Sequence, residues 1–343
     1  MPERVRITDV SPRDGLQNEP GVIPTPDKVR LVELLCGTGV DEVEVTSFVS
    51  AKWVPQLADA REVLGELIGR WPRESRPSCS VLVPNQVGME GVLEINDRAM
   101  EETGRRLIDT VALFTAASET FTKKNINATI SESLDRFQPV LDWAWKHRLR
   151  VRFYISCAYG CPFEGEVDPR AVRGVVAGCI SSVTHSRFTP GEEGGFAGVD
   201  IAVSDTIGIA TPRKIQAVHH ELDPNDLGDR LGGYWAELSG WRIPATLTLH
   251  LHDTHGRATE CVRTALDLGV RSFDGSVAGL GGCPYASKPG QRAPGNIATE
   301  TLVRTIQDAG YETGVDLARL AEAAAFAREI VGKSRTGGAG TKP

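Results

Sequence analysis

The chain has 343 residues, 41% of them hydrophobic and 24% charged, which describes a folded polypeptide with a sizeable core and excludes the disordered class. A formal net charge of -7 excludes a general nucleic-acid surface, which needs a basic field to displace counterions from phosphates. No apolar run approaches the length of a bilayer span, so neither nucleic acid nor membrane is an expected partner.

Read for period, the chain alternates strand-like and helix-like runs. Arg4 to Val10 is the first expected strand and Pro26 to Gly37, with Leu31, Leu34 and Leu35 on one stripe, the first helix. Asp41 to Phe48 follows as strand, then helix from Pro55 to Arg70. Strands are expected at Ser78 to Pro84 and Thr110 to Ala116, each followed by helix, the second from Ser131 to His147. Arg150 to Cys157, Asp200 to Thr206, Thr246 to Asp253 and Ser272 to Ala278 complete eight strands.

Eight strands, each separated from the next by room for a helix, fit an α/β fold of the (β/α)8 TIM-barrel type, with a doubly wound open sheet as the competitor. The barrel is preferred because chemistry-bearing residues recur at the ends of many strands. The barrel domain is expected over residues 1–306 and a helical extension with a flexible tail over 307–343, its helix from Val315 to Val331 and its Gly-rich tail from Gly337. Ser181 to Val199 and His220 to Ile243 read as insertions before the sixth and seventh strands.

The most informative stretch is Thr246-Leu-Thr-Leu-His-Leu-His-Asp253. Side chains two apart on a strand share a face, so His250 and His252 present adjacent imidazoles, as a divalent metal requires. A polar pair at the edge of the core is the plainer reading. Metal ligation needs a carboxylate, and Asp14 supplies a candidate at the end of the first strand, in Ser11-Pro-Arg-Asp-Gly-Leu-Gln-Asn18. Arg13 beside it can face a substrate oxygen, although Arg-Asp-Gly alone also describes a solvated turn.

On the second strand Glu42, Glu44 and Thr46 lie opposite Val43 and Val45, so Glu44 is expected to point inward, either at substrate or into an ion pair with Arg13. Asp205, ending the sixth strand, has the same two readings. Cys283 lies between Gly-Gly and Pro in the loop after strand eight, poorly placed for core packing and able to bring a thiol to a substrate. Cys157 and Cys161 lack the spacing of a zinc knuckle and read as structural. Lys123-Lys124 reads as a solvated pair, with phosphate binding as the second reading. Neither a Rossmann glycine fingerprint nor a P-loop is present, so a nucleotide cofactor is unsupported.

Seven scattered cysteines, an odd number, fit a reducing compartment better than a disulfide framework. The amino terminus enters a strand pattern without an apolar or Arg/Ser-rich leader, and the cytoplasm is expected.

Taken together, Ser-Pro-Arg-Asp-Gly-Leu-Gln-Asn-Glu, Glu-Val-Thr-Ser-Phe-Val-Ser-Ala-Lys-Trp-Val-Pro-Gln, Phe-Thr-Lys-Lys-Asn-Ile-Asn, Ser-Cys-Ala-Tyr-Gly-Cys-Pro-Phe-Glu-Gly, Asp-Thr-Ile-Gly, His-Leu-His-Asp-Thr-His-Gly and Val-Ala-Gly-Leu-Gly-Gly-Cys-Pro-Tyr-Ala closely resemble the hydroxymethylglutaryl-CoA lyase family. That family belongs to the metal-dependent barrel lyases and aldolases related to isopropylmalate synthase, and the resemblance runs from about residue 5 to about 325. It implies a carbon–carbon lyase of the oxo-acid-lyase type that cleaves 3-hydroxy-3-methylglutaryl-CoA to acetyl-CoA and acetoacetate with Mg²⁺ or Mn²⁺. Leucine degradation and ketone-body formation are its implied settings, and a homodimer or other homo-oligomer its expected assembly. By motif, Asp14, His250, His252 and Asn296 would be metal ligands, and Arg13, Gln17 and Ser47 would bind the acyl-CoA substrate. Arg13, Cys283, Glu44 and Asp205 would serve catalysis, Cys283 as the proton donor or acceptor. The two insertions leave room for a related 3-hydroxyacyl-CoA, and a condensing relative that joins acetyl-CoA to a keto acid is the second enzyme reading.

Overall fold

The structure, a computed structural model, describes residues 2–72, 77–185, 194–222, 245–282 and 294–337. By internal contacts the chain divides into two compact units, residues 1–82, 87–109 and 273–343 in the first and 83–86 and 110–272 in the second. The first contains β1 (Arg6–Asp9), β2 (Glu42–Ser47) and β3 (Ser78–Leu82), with helices α1 (Thr25–Cys36), α2 (Ala60–Leu67) and α3 (Gln86–Thr103). The second contains β4 (Thr110–Ala116), β5 (Arg150–Ser156), β6 (Gly198–Asp205) and β7 (Ala245–Leu251). Its helices are α4 (Glu119–Ile126), α5 (Ile130–Asp135), α6 (Gln138–Lys146), α7 (Pro169–His185), α8 (Pro212–Leu222) and α9 (Ala258–Asp267). Strand β8 (Ser272–Gly275) leads back to the first unit, which ends in α10 (Thr299–Asp308) and α11 (Leu317–Gly337).

The eight strands form a closed barrel in sequence order, β1 to β8, and the described strand pairs are parallel. The TIM-barrel expectation is therefore met. Parallel strands place all their carboxyl ends on one rim, and Ser47, Asp205 and His250 lie at or next to strand ends. Strand β2 is buried along its whole length and carries a register shift between Glu44 and Thr46, so strict inside–outside alternation does not survive past Glu44.

Several expected boundaries are corrected. Arg4 makes only an isolated bridge to Glu312, and Val10 already departs from extended geometry, so the first strand is shorter than Arg4 to Val10. The expected helix from Pro55 opens as a 3-10 turn, Pro55–Leu57, and restarts at Ala60 after Asp59 leaves helical geometry. The stretch from Ser131 to His147 is two helices. Pro139 near the start of α6 has no N–H to donate to a preceding turn, so the chain breaks around Phe137 and begins again. A Thr129–Glu132 capping box starts α5. Residues Ser181 to His185 belong to α7 and Gly198–Val199 to β6, so the insertion before the sixth strand is narrower than expected, and 186–193 lie outside the described residues. Most of His220 to Ile243 also lies outside them, as does the tail beyond Gly337. After Gly275 the chain turns into a 3-10 segment, Val277–Gly279, rather than extending β8 to Ala278. Helix α11 is longer than Val315 to Val331 and packs on α1. Among the described residues, no helix is long and apolar enough to cross a membrane.

Candidate metal centre and acyl-CoA site

Strand β1 leads into a single π-helical turn, Ser11–Gly15. The N–H groups of Gly15 and Leu16 donate to the carbonyls of Val10 and Ser11, at 3.1 and 3.0 Å. Such turns recur where a side chain must be aimed. Every residue of this one is buried, which disposes of the solvated-turn reading of Arg-Asp-Gly.

The turn aims Arg13 and Asp14 at partners from its own unit. Arg13 Nε donates to Glu44 Oε2 at 2.6 Å, and its Nη1 donates to Asp14 Oδ1 at 2.7 Å. Glu44 is fully buried, so this is a desolvated ion pair of the kind that fixes a guanidinium in one orientation. Asp14 Oδ1 also accepts from Gln17 Nε2 at 2.9 Å, and Asp14 Oδ2 accepts from Asn296 Nδ2 at 2.7 Å. Glu44 makes the ion pair with Arg13 that was one of its two expected readings. Its geometric role is to hold Arg13.

Asn296 tests whether the site suits a cation. Its Nδ2 donates to both Asp14 Oδ2 and the carbonyl of Leu280, at 2.7 and 3.1 Å. Both partners only accept, so the amide cannot be turned over, and Oδ1 is left facing away from them. That oxygen is buried and, among the described residues, has no hydrogen-bond partner, although the residue is only 2% exposed. A buried carbonyl oxygen without a donor is costly unless a cation takes its lone pair.

In the second unit, His250 lies at the end of β7 and His252 just beyond it, both buried. Their Nε2 atoms are 3.4 Å apart. The ring of Tyr154, on β5, meets His250 edge-on with centroids 5.7 Å apart and planes at 81°, which limits the rotation of that imidazole. Asp14, His250 and His252 each offer one ligand atom, all within 4.8 Å of one another. Ligands about 2.1 Å from one ion stand about 3 to 4.2 Å apart, so small side-chain movements would bring the three atoms into a single coordination shell. Two imidazole nitrogens, a carboxylate and an amide oxygen make a mixed N/O donor set that suits a hard or borderline divalent cation.

The remaining expected residues are placed differently. Ser47 Oγ caps the end of β2, donating to the carbonyl of Leu82 at 3.3 Å and accepting from the N–H of Val49 at 3.2 Å. Asp205 accepts from the N–H groups of Ile209 and Ala210, at 2.9 and 2.8 Å, and so braces the turn that follows β6. Burial pushes its carboxyl up to about 6 against those hydrogen bonds. Cys283 lies outside the described residues. Cys157 and Cys161 pack with Ala116 and Phe121 in a small apolar cluster, and Ser118 Oγ is 3.0 Å from Cys161 Sγ, which matches the structural reading. Lys124 lies over the ring of Phe163 at 4.7 Å.

Tyr154 and Asp9 were not singled out from the sequence. Tyr154 carries no spacing signal, since its relation to His250 exists only across the sheet. Asp9 was within reach of the strand-end rule that found Asp205.

The HMGL-like family profile matches residues 4–327. The protein named "Hydroxymethylglutaryl-CoA lyase, mitochondrial" of Bos taurus is 42% identical over 327 residues, which are 95% of this chain and 85% of that protein. The crystal structure of the HMG-CoA lyase from Brucella melitensis is similar with a TM-score of 0.77 at 38% identity, covering 96% of this chain and 99% of that one. An HMG-CoA lyase from Acinetobacter baumannii, solved in complex with coenzyme A and 3-methylmalate, gives a TM-score of 0.75 at 29% identity, covering 99% of this chain and 97% of that one. With a profile match over nearly the whole chain, a closed parallel barrel and an Asp-His-His cluster at the strand ends, this chain belongs to the HMGL-like family.

Proposed function

We propose that the chain is a 3-hydroxy-3-methylglutaryl-CoA lyase, producing acetyl-CoA and acetoacetate. The observation that carries this is the spacing of Asp14, His250 and His252 with Arg13 locked beside the carboxylate. In the reaction the bond between the second and third acyl carbons breaks, and its electron pair passes into the thioester as an enolate. The tertiary hydroxyl loses its proton and becomes the ketone of acetoacetate, and the enolate carbon takes up a proton to give acetyl-CoA. A divalent cation, Mg²⁺ or Mn²⁺, supplies Lewis acidity that lowers the pKa of the substrate hydroxyl.

Asp14, His250, His252 and Asn296 are the residues that would hold it. Arg13 sets its positive charge against the thioester oxygen, where negative charge grows only as the carbon–carbon bond breaks, so the interaction strengthens in the transition state. Glu44 keeps the guanidinium in that orientation. Gln17 holds the Asp14 carboxylate through Oδ1, the oxygen that also accepts from Arg13. Ser47, at the carboxyl end of β2, is proposed to meet the acyl group. Asp205 serves the site by shaping the turn after β6. Cys283 is the proposed proton carrier to the enolate carbon. Cys36, Cys79, Cys157, Cys161, Cys179 and Cys261 are in the thiol form, which supports a reducing compartment, and the cytoplasm is the one proposed.

The test is to incubate the purified chain with 3-hydroxy-3-methylglutaryl-CoA and to separate acetyl-CoA, acetoacetate and free CoA. Equimolar acetyl-CoA and acetoacetate without free CoA is the expected result. Free CoA formed only when acetyl-CoA and a keto acid are supplied would assign a condensing enzyme instead. Turnover of other branched 3-hydroxyacyl-CoA thioesters in preference to this one would move the substrate, not the chemistry.

A further inference from the structure

Asp9, the last residue of β1, is fully buried and has no part in the mechanism above. Its carboxylate nevertheless joins the two segments that carry site residues in the first unit. Oδ1 accepts from the N–H of Ser11 at 2.9 Å and from Ser11 Oγ. Oδ2 accepts from Thr299 Oγ1 at 2.6 Å. Ser11 Oγ in turn accepts from the N–H of Val277 at 2.7 Å and from Ser276 Oγ at 3.3 Å. Ser11 opens the π-helical turn that holds Arg13 and Asp14. Thr299 stands three residues after Asn296, and its N–H donates to the carbonyl of Ser276 at 3.2 Å.

The junction has no slack. A Cβ at Gly15 would lie 2.8 Å from Ser276 Oγ, and one at Gly275 would lie 2.8 Å from Thr299 Oγ1. Without the carboxylate, the N–H of Ser11 and the hydroxyl of Thr299 would be left without their acceptors in a space too tight to rearrange. The neighbouring charge, Glu300, is turned elsewhere: it accepts from the N–H of Ala278 and from Arg328. Burial pushes the Asp9 carboxyl up to about 6 even though three hydrogen bonds oppose the shift, so keeping an ionised group here is unfavourable in itself.

We propose that Asp9 is a positioning residue for the metal centre, setting the distance between Asp14 and Asn296 by tying the π-helical turn to the segment after β8 through Ser11 and Thr299. This rests on the metal-centre reading, since it assigns Asp9 a role in the geometry of two of the ligands. Groups that orient metal ligands typically change affinity by about 10- to 100-fold when removed.

The test is Mn²⁺ titration of the purified full chain, followed by electron paramagnetic resonance of the free ion, with thermal unfolding recorded alongside. Asp9→Ala is expected to weaken Mn²⁺ binding at least about tenfold. Asp9→Asn is expected to stay within about threefold of the parent, since its carbonyl still serves Ser11 and its amide can donate to the Thr299 hydroxyl. Thr299→Val removes one bond of the network and is expected to weaken binding, and Thr299→Ser to restore it. Asp9→Ala or, if that variant does not fold, Thr299→Val that melts earlier yet binds Mn²⁺ with the parent's affinity overturns the proposal and leaves Asp9 a brace of the fold. A parent chain that binds no Mn²⁺ overturns the metal-centre reading and this inference with it, whereas parent binding with unchanged variants overturns this inference alone.

Discussion

Gly281→Ala separates backbone strain from displacement of a metal ligand. Gly281 has φ of +104°, and a Cβ built there would lie 2.6 Å from Asn296 Nδ2 and 3.3 Å from Asp14 Oδ2. Placing alanine in that region of backbone space costs about 1–3 kcal/mol. The side chain must also push Asn296 off Asp14, losing a hydrogen bond to a charged group worth about 1.5–3 kcal/mol. Gly269 provides the control, with φ of +88° and nothing within 4 Å of its added Cβ. Urea unfolding should therefore show Gly269→Ala destabilised by the strain alone, about 1–3 kcal/mol, and Gly281→Ala by roughly 2.5–6 kcal/mol. Mn²⁺ titration should leave Gly269→Ala unchanged and weaken Gly281→Ala by about 10- to 100-fold, as expected when a ligand loses its support. Gly281→Ala binding Mn²⁺ as tightly as the parent would refute the placement of Asn296 beside the cation.

Three further outcomes follow from the same geometry. Glu44→Ala removes one of the carboxylates that hold the buried Arg13 guanidinium and leaves Asp14 as another, so unfolding free energy should fall by at most about 3–5 kcal/mol and turnover should fall while Mn²⁺ affinity changes little; unchanged turnover would show that Arg13 does not need this partner. Asp205 has its carboxyl raised from 3.8 to about 6 chiefly by burial, so its contribution to stability is fully present below pH 3.8 and is lost as pH rises through 6, worth roughly 3 kcal/mol. The difference in unfolding free energy between the parent and Asp205→Asn, followed from pH 4 to 7, should track that loss, and a flat difference would contradict it. Cys261 is pushed up to about 12, first by burial and then by Asp205, so its thiol should resist alkylation in the native protein at pH 8 and react on unfolding, as peptide mass mapping would report.

Much of the fold was legible because its signals are local. Alternation marked the strands, helical stripes marked the segments between them, and the recurrence of polar residues at strand ends pointed to one rim. His250 and His252 could be read as a pair because a strand's period of two is a property of two neighbouring residues. Asp14 was readable only as a candidate, since its burial depends on a π-helical turn that no residue pattern announces. The break between α5 and α6 was hidden by an apolar period that runs on across Pro139. The register shift in β2 was hidden for a related reason, because Glu44, Val45 and Thr46 alternate in sequence while the ladder to β3 skips one of them. The links from Tyr154 to His250 and from Asp9 to Thr299 join residues far apart in the chain, and such pairs carry no spacing to read.

The proposed mechanism requires one divalent cation held by nitrogen from His250 and His252 and by oxygen from Asp14 and Asn296. Pulsed electron paramagnetic resonance of Mn²⁺ bound to chain labelled with ¹⁵N-histidine measures this directly. The expected spectrum shows one Mn²⁺ per chain coupled to two imidazole nitrogens, with the coupling to one of them lost in His250→Ala. Bound Mn²⁺ without histidine coupling, or with the same coupling in His250→Ala, would contradict it.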